Sequence, residues 1–536
     1  MKYSSPLRPA SYQLVPLMKL LINGLDCVLI CDGVGVGKTI SAGYIVLFIT
    51  TWLNQSGIIV CPPSLLIKWK EELESKFFLR AVIVTKEEEF ITMENELQTR
   101  RKKKRNTIYI IPSSLINKFK LNQKTNPSII VFDEIHNFRN NETMGYRSAK
   151  SMAKHAHFKV GLSATPINNS INDFVSELSI LLPKYSFDSI SIMIEDLWSR
   201  YKKSVTNALV TRFTKENLGI HFAKRIIKNY EMSFSTNYAD KVKDIISNIP
   251  STKNSFFEKV TYYRLAASSV EALRKSLDID EPLLEIDPKI TLLKRIFDRQ
   301  KIDKWILFCE FSETAKVLQR ELSRAWNVFM MTGETPLFER HNTIAEFRAA
   351  KKSLLIMTPV GSEGLDIQFC NAVINYDLHW NPMKIEQRIG RVDRVGQKKK
   401  EIMVANIMVK GSIDERILDV IRSKLSLISN SVFNVPSVIS DNHHKINYIF
   451  DKEVFEMEYN LGKNFLKSIK YWESLPELDY SILSKIDKDL CDITTLSRIA
   501  RNFTVDSLLS NTSMRTWSSK IKDDASLVQK RVTLYN

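Results

Sequence analysis

Five short runs in the first third of the chain share one shape. "DCVLIC", "SGIIVC", "NTIYIIP", "PSIIVFD" and "HFKVGL" are mostly apolar at successive positions, and each gives way to small or polar residues. A strand that is apolar at every position, rather than at every second one, is buried on both faces. The stretches between have helical spacing, as in Leu65, Leu66, Trp69 and Leu73 after the break at Pro62 and Pro63. Strands of this kind alternating with helices imply a parallel sheet covered on both sides. Ligands of such sheets bind beyond the carboxyl ends of the strands, so the polar turns that follow these runs should collect at one edge.

The alternation recurs later, in "KWILFCEFSETAKVLQREL", "VFMMTGETP", "KKSLLIMTPVGSEGLDIQF", "NAVINYDLHWNP" and "EIMVANIMVKGSIDERILDVI". A chain of 536 residues is too long for one ordinary core. The fold class expected is therefore α/β. Two parallel-sheet lobes, over residues 1–182 and 287–425, are joined by a helical insertion over 183–286 and followed by a mostly helical C-terminal region over 426–536. The contents, 44% apolar and 26% charged, are those of a soluble globular protein. No run of about eighteen apolar residues suggests a membrane span, and "MKYSSPLRPA" lacks the apolar core of a signal peptide. Six cysteines without a CxxC pair argue against a disulfide framework or a zinc site. Cys27 and Cys31 read as buried thiols, and a reducing cytoplasm is expected.

"DGVGVGKT", Asp32 to Thr39, follows the first strand and opens a helix. That is the setting of a phosphate loop. Gly35 and Gly37 let backbone N–H groups point at phosphate oxygens where a Cβ would intrude. Lys38 would reach the β and γ phosphates, and Thr39 would ligate Mg2+. The helix dipole adds to the attraction for an anion. The general pattern G-x-x-x-x-G-K-[ST] places a glycine where this chain has Asp32. A nucleoside triphosphate with Mg2+ needs one acid to hold the metal through its water shell and one to position the attacking water. Asp133 and Glu134, at the end of "PSIIVFD" in the same predicted sheet, supply these in order.

In "EQRIGRVDRVGQ" Arg388, Arg391 and Arg394 recur every three residues, close to one helical face. Such arginines are solvated, bind phosphates, or reach across a cleft to a γ-phosphate as arginine fingers. A formal net charge of +17 suggests a polyanion partner, most often nucleic acid. The run "RRKKKR" at 100–105 and the "KKK" at 398–400 add grip on phosphates or are simply solvated, and Trp380 reads as packing rather than base stacking.

Taken in order, these segments resemble the Swi/Snf-like branch of superfamily 2 helicase-type ATPases over roughly Leu7 to Val420. "LRPASYQ" resembles the adenine-reading segment. "DGVGVGKT" is similar to that branch's own phosphate loop, including the Asp. "VCPPSLLIKWKEEL" resembles motif Ia, "DEIH" motif II and "GLSATPINNS" motif III. "ILFCEFSETAKVLQREL" and "GETPLFERHNTIAEFR" look like the opening of the second lobe. "TPVGSEGLDIQFCNAVINYDLHWNP" and "EQRIGRVDRVGQ" are similar to motifs V and VI, and "GSIDERIL" to the closing helix. The wording leans towards bacterial members, such as the RapA type and relatives in phage-defence systems. Ile135, where alanine is usual, and a short helical region between the lobes are departures from the family.

The resemblance implies two RecA-like lobes. It implies that Gln13 reads the adenine edge, Lys38 and Thr39 hold phosphates and Mg2+, Asp133 holds the metal's water shell, and Glu134 positions the hydrolytic water. Arg391 and Arg394 would act as arginine fingers, Gly361 and Gln387 would line the closing cleft, and Ser163 and Thr165 would couple nucleotide state to lobe movement. Pro62, Ser64, Ser113, Ser114 and Thr358 would touch nucleic-acid phosphates without reading sequence. The expected activity is DNA-dependent ATP hydrolysis coupled to translocation on DNA, duplex favoured, as the motor of a bacterial defence or genome-maintenance system. The region 426–536 would dock a protein partner. A strand-separating DNA or RNA helicase and an ATP-gated binding subunit are the alternatives.

Overall fold

A computed structural model describes residues 10–22, 25–98, 106–164, 171–200, 208–213, 223–248, 255–280, 287–359, 367–379, 382–394 and 396–410, with a few single residues besides. Up to residue 410, the described residues divide into two compact units between residues 219 and 220. The first holds strands β1 (Cys27–Ile30), β2 (Gly57–Cys61), β3 (Arg80–Ile83), β4 (Thr107–Pro112), β5 (Ile129–Asp133), β6 (Phe158–Leu162) and β7 (Val210–Thr211). They form one parallel sheet in the order β3-β4-β2-β5-β6-β1-β7. Strands β1, β2, β4 and β5 are buried at every residue, which is why their sequences show no alternation.

Helices α1 (Ser11–Ile22), α2 (Lys38–Leu53), α3 (Leu66–Lys76), α4 (Glu87–Gln98), α5 (Met144–Ala153), α6 (Ile171–Leu181) and α7 (Phe187–Arg200) belong to the same unit. Helix α2 is buried continuously from Ser41 to Thr50, as its unbroken apolar sequence requires. It packs so closely that a Cβ on Gly43 would stand 2.3 Å from the Phe77 ring.

The second unit has its own parallel sheet. Strands β8 (Lys224–Met232), β9 (Lys304–Phe308), β10 (Asn327–Met331), β11 (Ser353–Met357), β12 (Ala372–Asn375) and β13 (Glu401–Val409) stand in the order β10-β11-β9-β12-β13-β8. Helices α8 (Thr236–Ser247), α9 (Ser255–Ser268), α10 (Val270–Ser276), α11 (Pro288–Gln300), α12 (Ser312–Leu322), α13 (Leu337–Ala349) and α14 (Pro382–Ile389) accompany it. One apolar cluster runs from Phe234 through Trp305 and Phe347 to Val409.

The span 183–286, read from its periodicity as a helical insertion, holds helices but also β7 and β8. β7 closes the edge of the first sheet beside β1, and β8 pairs with β13 along its whole length, Lys224 opposite Glu401 through Met232 opposite Val409. Neither strand announces itself in sequence. β7 has two residues, and β8, "KRIIKNYEM", mixes charges with apolar residues as an edge strand does. Nearly all of 426–536 lies outside the described residues.

Candidate nucleotide site and the arginine turn

Three neighbouring strand ends build the site. Ile30 of β1 pairs with Leu162 of β6, and Leu162 pairs with Asp133 of β5, so the three carboxyl ends lie level in one row. The turns leaving them carry the glycine-rich loop, Ser163, and the Asp133–Glu134 pair.

In the glycine-rich loop Gly35 and Gly37 have φ of 82° and 105°, left-handed values that a side chain would strain. Gly37 is the residue before α2 and offers no side chain to cap it, and the first turn carries no acid. The helix end is therefore left for an anion. Lys38 Nζ donates to the Asp32 carbonyl at 2.9 Å and lies 3.4 Å from that of Gly33, so its charge hangs over the loop. Gln13 is close by: a Cβ on Gly37 would stand 3.2 Å from its Nε2. Its Oε1 accepts the Ala10 N–H at the start of α1.

Asp32 shows why this position is not glycine. Its Oδ1 accepts the Phe213 N–H at 3.0 Å, while Gly33 N–H donates to the Phe213 carbonyl at 2.7 Å and Cys31 N–H to that of Thr211 at 2.8 Å. The loop is thereby fastened to the segment leaving β7. Burial pushes the Asp32 carboxyl up to about 6, against the pull of Lys38. Tyr12 closes the far side, its hydroxyl donating to the Val36 carbonyl at 2.7 Å and its ring 5.6 Å from that of Phe213.

Asp133 is buried, and burial, then the adjacent Glu134 charge, raise its carboxyl well above the usual range. Two donors hold it: Glu134 N–H on Oδ1 at 3.0 Å and Trp69 Nε1–H on Oδ2 at 2.8 Å. Glu134 sits at φ 52°, ψ 50°, a left-handed conformation rare outside glycine and often kept at functional sites. Its Oε2 is 3.3 Å from His136 Nδ1, which is 3.4 Å from Ser163 Oγ. His136 thus stands between the acid pair and the turn after β6. The set fits a nucleoside triphosphate with its divalent cation: a left-handed glycine cradle, an uncapped helix end, a lysine over the loop, and a buried carboxylate at the next strand end but one.

The nucleic-acid candidates lie further along the same edge. β2 and β4 each lead through proline into a single 3-10 turn, Pro63–Leu65 after Pro62 and Ser113–Leu115 after Pro112. Pro62 is buried, Ser64 and Ser113 are half-buried and Ser114 is exposed. In the second unit Thr358, directly after β11, is buried, with its N–H on the Met331 carbonyl. Thr165 and Gly361 lie outside the described residues, as do Trp380 and the run 100–105.

The arginines differ from one another. Helix α14 ends at Ile389, so Gln387 and Arg388 are helical while Arg391 and Arg394 lie in the turn that follows, not on one helical face. Gly390 at the helix end and Gly396 at φ 97° bracket that turn. Arg388 is buried and structural: it donates to the Asp377 carbonyl at 2.7 Å and pairs with Glu310. Arg391 and Arg394 are half-buried. Trp69, Phe213 and Arg225 escape a reading of motifs, because each acts on a partner distant in sequence; His136 stands inside the acidic motif beside Glu134, and only its contact with Ser163 joins distant segments. The family-like order around Trp69 is the one signal available.

The SNF2-related domain family matches residues 14–200, and the helicase conserved C-terminal domain family matches residues 288–396. The chain is 27% identical over 476 residues to the uncharacterized ATP-dependent helicase YqhH of Bacillus subtilis (strain 168), covering 82% of each. It is 24% identical over 428 residues to an uncharacterized ATP-dependent helicase of Mycoplasma pneumoniae, covering 75% of this chain and 40% of that longer protein. The Sulfolobus solfataricus SWI2/SNF2 ATPase core in complex with dsDNA is similar over 80% of this chain and 95% of its own, at 20% identity and TM-score 0.36. The Pyrococcus furiosus Hef helicase domain is similar over 77% and 98%, at 18% identity and TM-score 0.48. With an SNF2-related domain matched in its first unit and a helicase C-terminal domain in its second, the chain belongs to the Swi/Snf-like superfamily 2 helicase-type ATPases and is an ATP hydrolase.

Proposed function

We propose that the chain is a nucleic-acid-stimulated ATPase that moves along DNA, duplex favoured, without separating its strands, as the cytoplasmic motor of a bacterial defence or genome-maintenance system. The observation that carries the reading is the row of level strand ends at β1, β6 and β5, with the lysine loop on one side and the acid pair on the other. Bound Mg2+–ATP supplies the phosphoanhydride to be cleaved and a cation to spread its charge. Gln13 reads the adenine edge. The loop N–H groups around Gly35 and Gly37, with Lys38, bind the phosphates, and Thr39 and Asp133 hold Mg2+. Glu134 positions the attacking water, and His136 relays its orientation to Ser163. Thr165 joins Ser163 in coupling nucleotide state to movement.

Arg391 and Arg394 supply positive charge to the γ-phosphate during hydrolysis, with Gln387 and Gly361 completing the second unit's share. Pro62, Ser64, Ser113, Ser114 and Thr358 follow the phosphate backbone, and the excess positive charge draws the polyanion in. Residues 426–536 dock a protein partner. The placing in defence or genome maintenance rests on the family likeness alone.

The test is ATP hydrolysis by the full chain alone and with duplex DNA, single-stranded DNA or RNA, beside Glu134→Gln and Arg391→Ala. Strong stimulation by duplex DNA, lost in both variants, is expected. Stimulation by single strands or RNA alone would replace the proposal with a helicase, and a low flat rate with every nucleic acid would replace it with an ATP-gated subunit.

A further inference from the structure

We infer that Arg225 is a positioning residue that sets the turn bearing Arg391 and Arg394; the inference rests on the reading of those two arginines as charge donors in hydrolysis. Arg225 is the second residue of edge strand β8, in register with Ile402 of β13. Its side chain is 4% exposed. One face of its guanidinium meets Glu386 as a fork, Nη1 to Oε2 and Nη2 to Oε1, each at 2.7 Å. The remaining edge holds Asp393, whose Oδ2 lies 2.7 Å from Nε and 2.5 Å from Nη2.

The placement of those two acids gives the contact its consequence. Glu386 is on α14, a turn before the helix ends, and Asp393 lies in the following turn between Arg391 and Arg394. One rigid planar cation therefore joins the helix to the middle of the arginine turn. The turn itself is soft: it leaves the helix at Gly390, and Gly396 closes it in a left-handed conformation. On the other side Gln397 Nε2 donates to the Val392 carbonyl at 2.8 Å and the Cys370 carbonyl at 3.0 Å. Between these two pins the Arg391 and Arg394 backbones are fixed, although Arg225 itself meets the site through acids and not directly. A lysine cannot replace it, because a point charge lacks the fork that serves two carboxylates at once.

The test uses the full chain with duplex DNA and compares Arg225→Lys, Arg225→Met and Asp393→Asn with Arg391→Ala. Displacing a charge donor by about an ångström costs on the order of 100-fold in turnover. We expect kcat to fall by about that factor in Arg225→Lys and Asp393→Asn, with nucleotide affinity and KM for ATP within about twofold of the parent. Adding Arg225→Met to Arg391→Ala with Arg394→Ala should cost little more than those two together, because Arg225 acts through that pair.

A kcat within about twofold of the parent in Arg225→Lys, at unchanged unfolding temperature, would overturn the inference. So would a triple variant in which the Arg225→Met loss multiplies that of the arginine pair. Should Arg225→Met fail to fold, Asp393→Asn, which keeps the shape and removes the charge, decides alone. Full activity in Arg391→Ala would overturn the arginine reading itself, and the inference with it. A kcat loss in Arg391→Ala together with none in the Arg225 and Asp393 variants overturns the inference alone.

Discussion

At the scale of single residues, the acid pair depends on a neighbour that no motif names. Asp133 is buried, and a buried carboxylate is costly unless donors hold it. Trp69 provides one of its two donors from α3, the helix that begins just after Ser64. A hydrogen bond to a charged group is worth about 1.5–3 kcal/mol. Trp69→Phe keeps most of the ring in its fully buried place and removes the N–H. Asp133 then holds its negative charge less well. The Mg2+ needed for half-maximal hydrolysis should rise roughly tenfold, equivalent to about 1.4 kcal/mol, while the fold is kept. A Mg2+ titration at saturating ATP checks this, and an unchanged midpoint would show that the contact is packing alone.

Residues of this kind mark where the sequence stops being legible. Lys38, Asp133 and Glu134 can be picked out because each stands at a fixed offset from a strand end within a short motif. Trp69 reads in sequence as one apolar position of an amphipathic helix. Its indole N–H matters because β2 and β5 are neighbours in the sheet, a fact of pairing rather than of local spacing. Asp32, likewise, has its place in the phosphate loop by resemblance to the family, but what it does there shows only when Phe213, far along the chain, is found on its carboxylate.

At the scale of elements, the apolar central strands and the helices between them were open to reading, because burial on both faces writes itself into every residue. Edge strands β7 and β8 were not: β7 is only two residues long, and β8 carries charges among its apolar residues. The polar core of the second unit was also hidden, being assembled from separate elements. Asp377, just after β12, accepts Lys289 Nζ of α11 at 2.9 Å, Ser268 Oγ of α9 at 2.7 Å, and the Glu310 N–H after β9 at 2.9 Å. Lys289 also lies 4.5 Å from the centre of the Tyr376 ring and is fully buried. Burial would raise the Asp377 carboxyl, but Lys289 and the hydrogen bonds outweigh it and hold it below its usual value.

A carboxylate depressed in this way contributes stability above its unfolded pKa and loses it as pH falls through the folded one. Removing one partner of a buried pair strands the other charge. Lys289→Met should therefore destabilise the second unit by about 3–5 kcal/mol at neutral pH, and Lys289→Met with Asp377→Leu by less than Lys289→Met alone. Denaturant unfolding followed through the second unit's Trp305 checks both. A double variant as unstable as the sum of the singles would mean that the network is not a coupled unit.

At the scale of the whole molecule, charge and chain order carry the argument. Two parallel-sheet units in succession, the first with its candidate site at three strand ends and the second with its arginine turn after α14, suit the proposed motor on a polymer. The formal charge of +17 suits that polymer being a polyanion. Lys398, Lys399 and Lys400 are exposed beyond the arginine turn. Contact with the phosphate backbone releases counterions, so binding weakens linearly in log salt, and six or more phosphates cost about 1000-fold or more between 50 and 200 mM. The duplex DNA concentration that half-activates hydrolysis should climb steeply and linearly on that log–log scale, while KM for ATP moves far less, because the glycine cradle and its helix end act at contact distance. Lys398→Ala with Lys399→Ala and Lys400→Ala should lower the slope if those lysines lie on the nucleic-acid path, and leave it unchanged if they are simply solvated. Measuring activation at four or five salt concentrations separates the cases: a slope near zero for the parent chain would mean that its positive charge does not serve phosphate binding, and the proposal of a nucleic-acid motor would lose its electrostatic support.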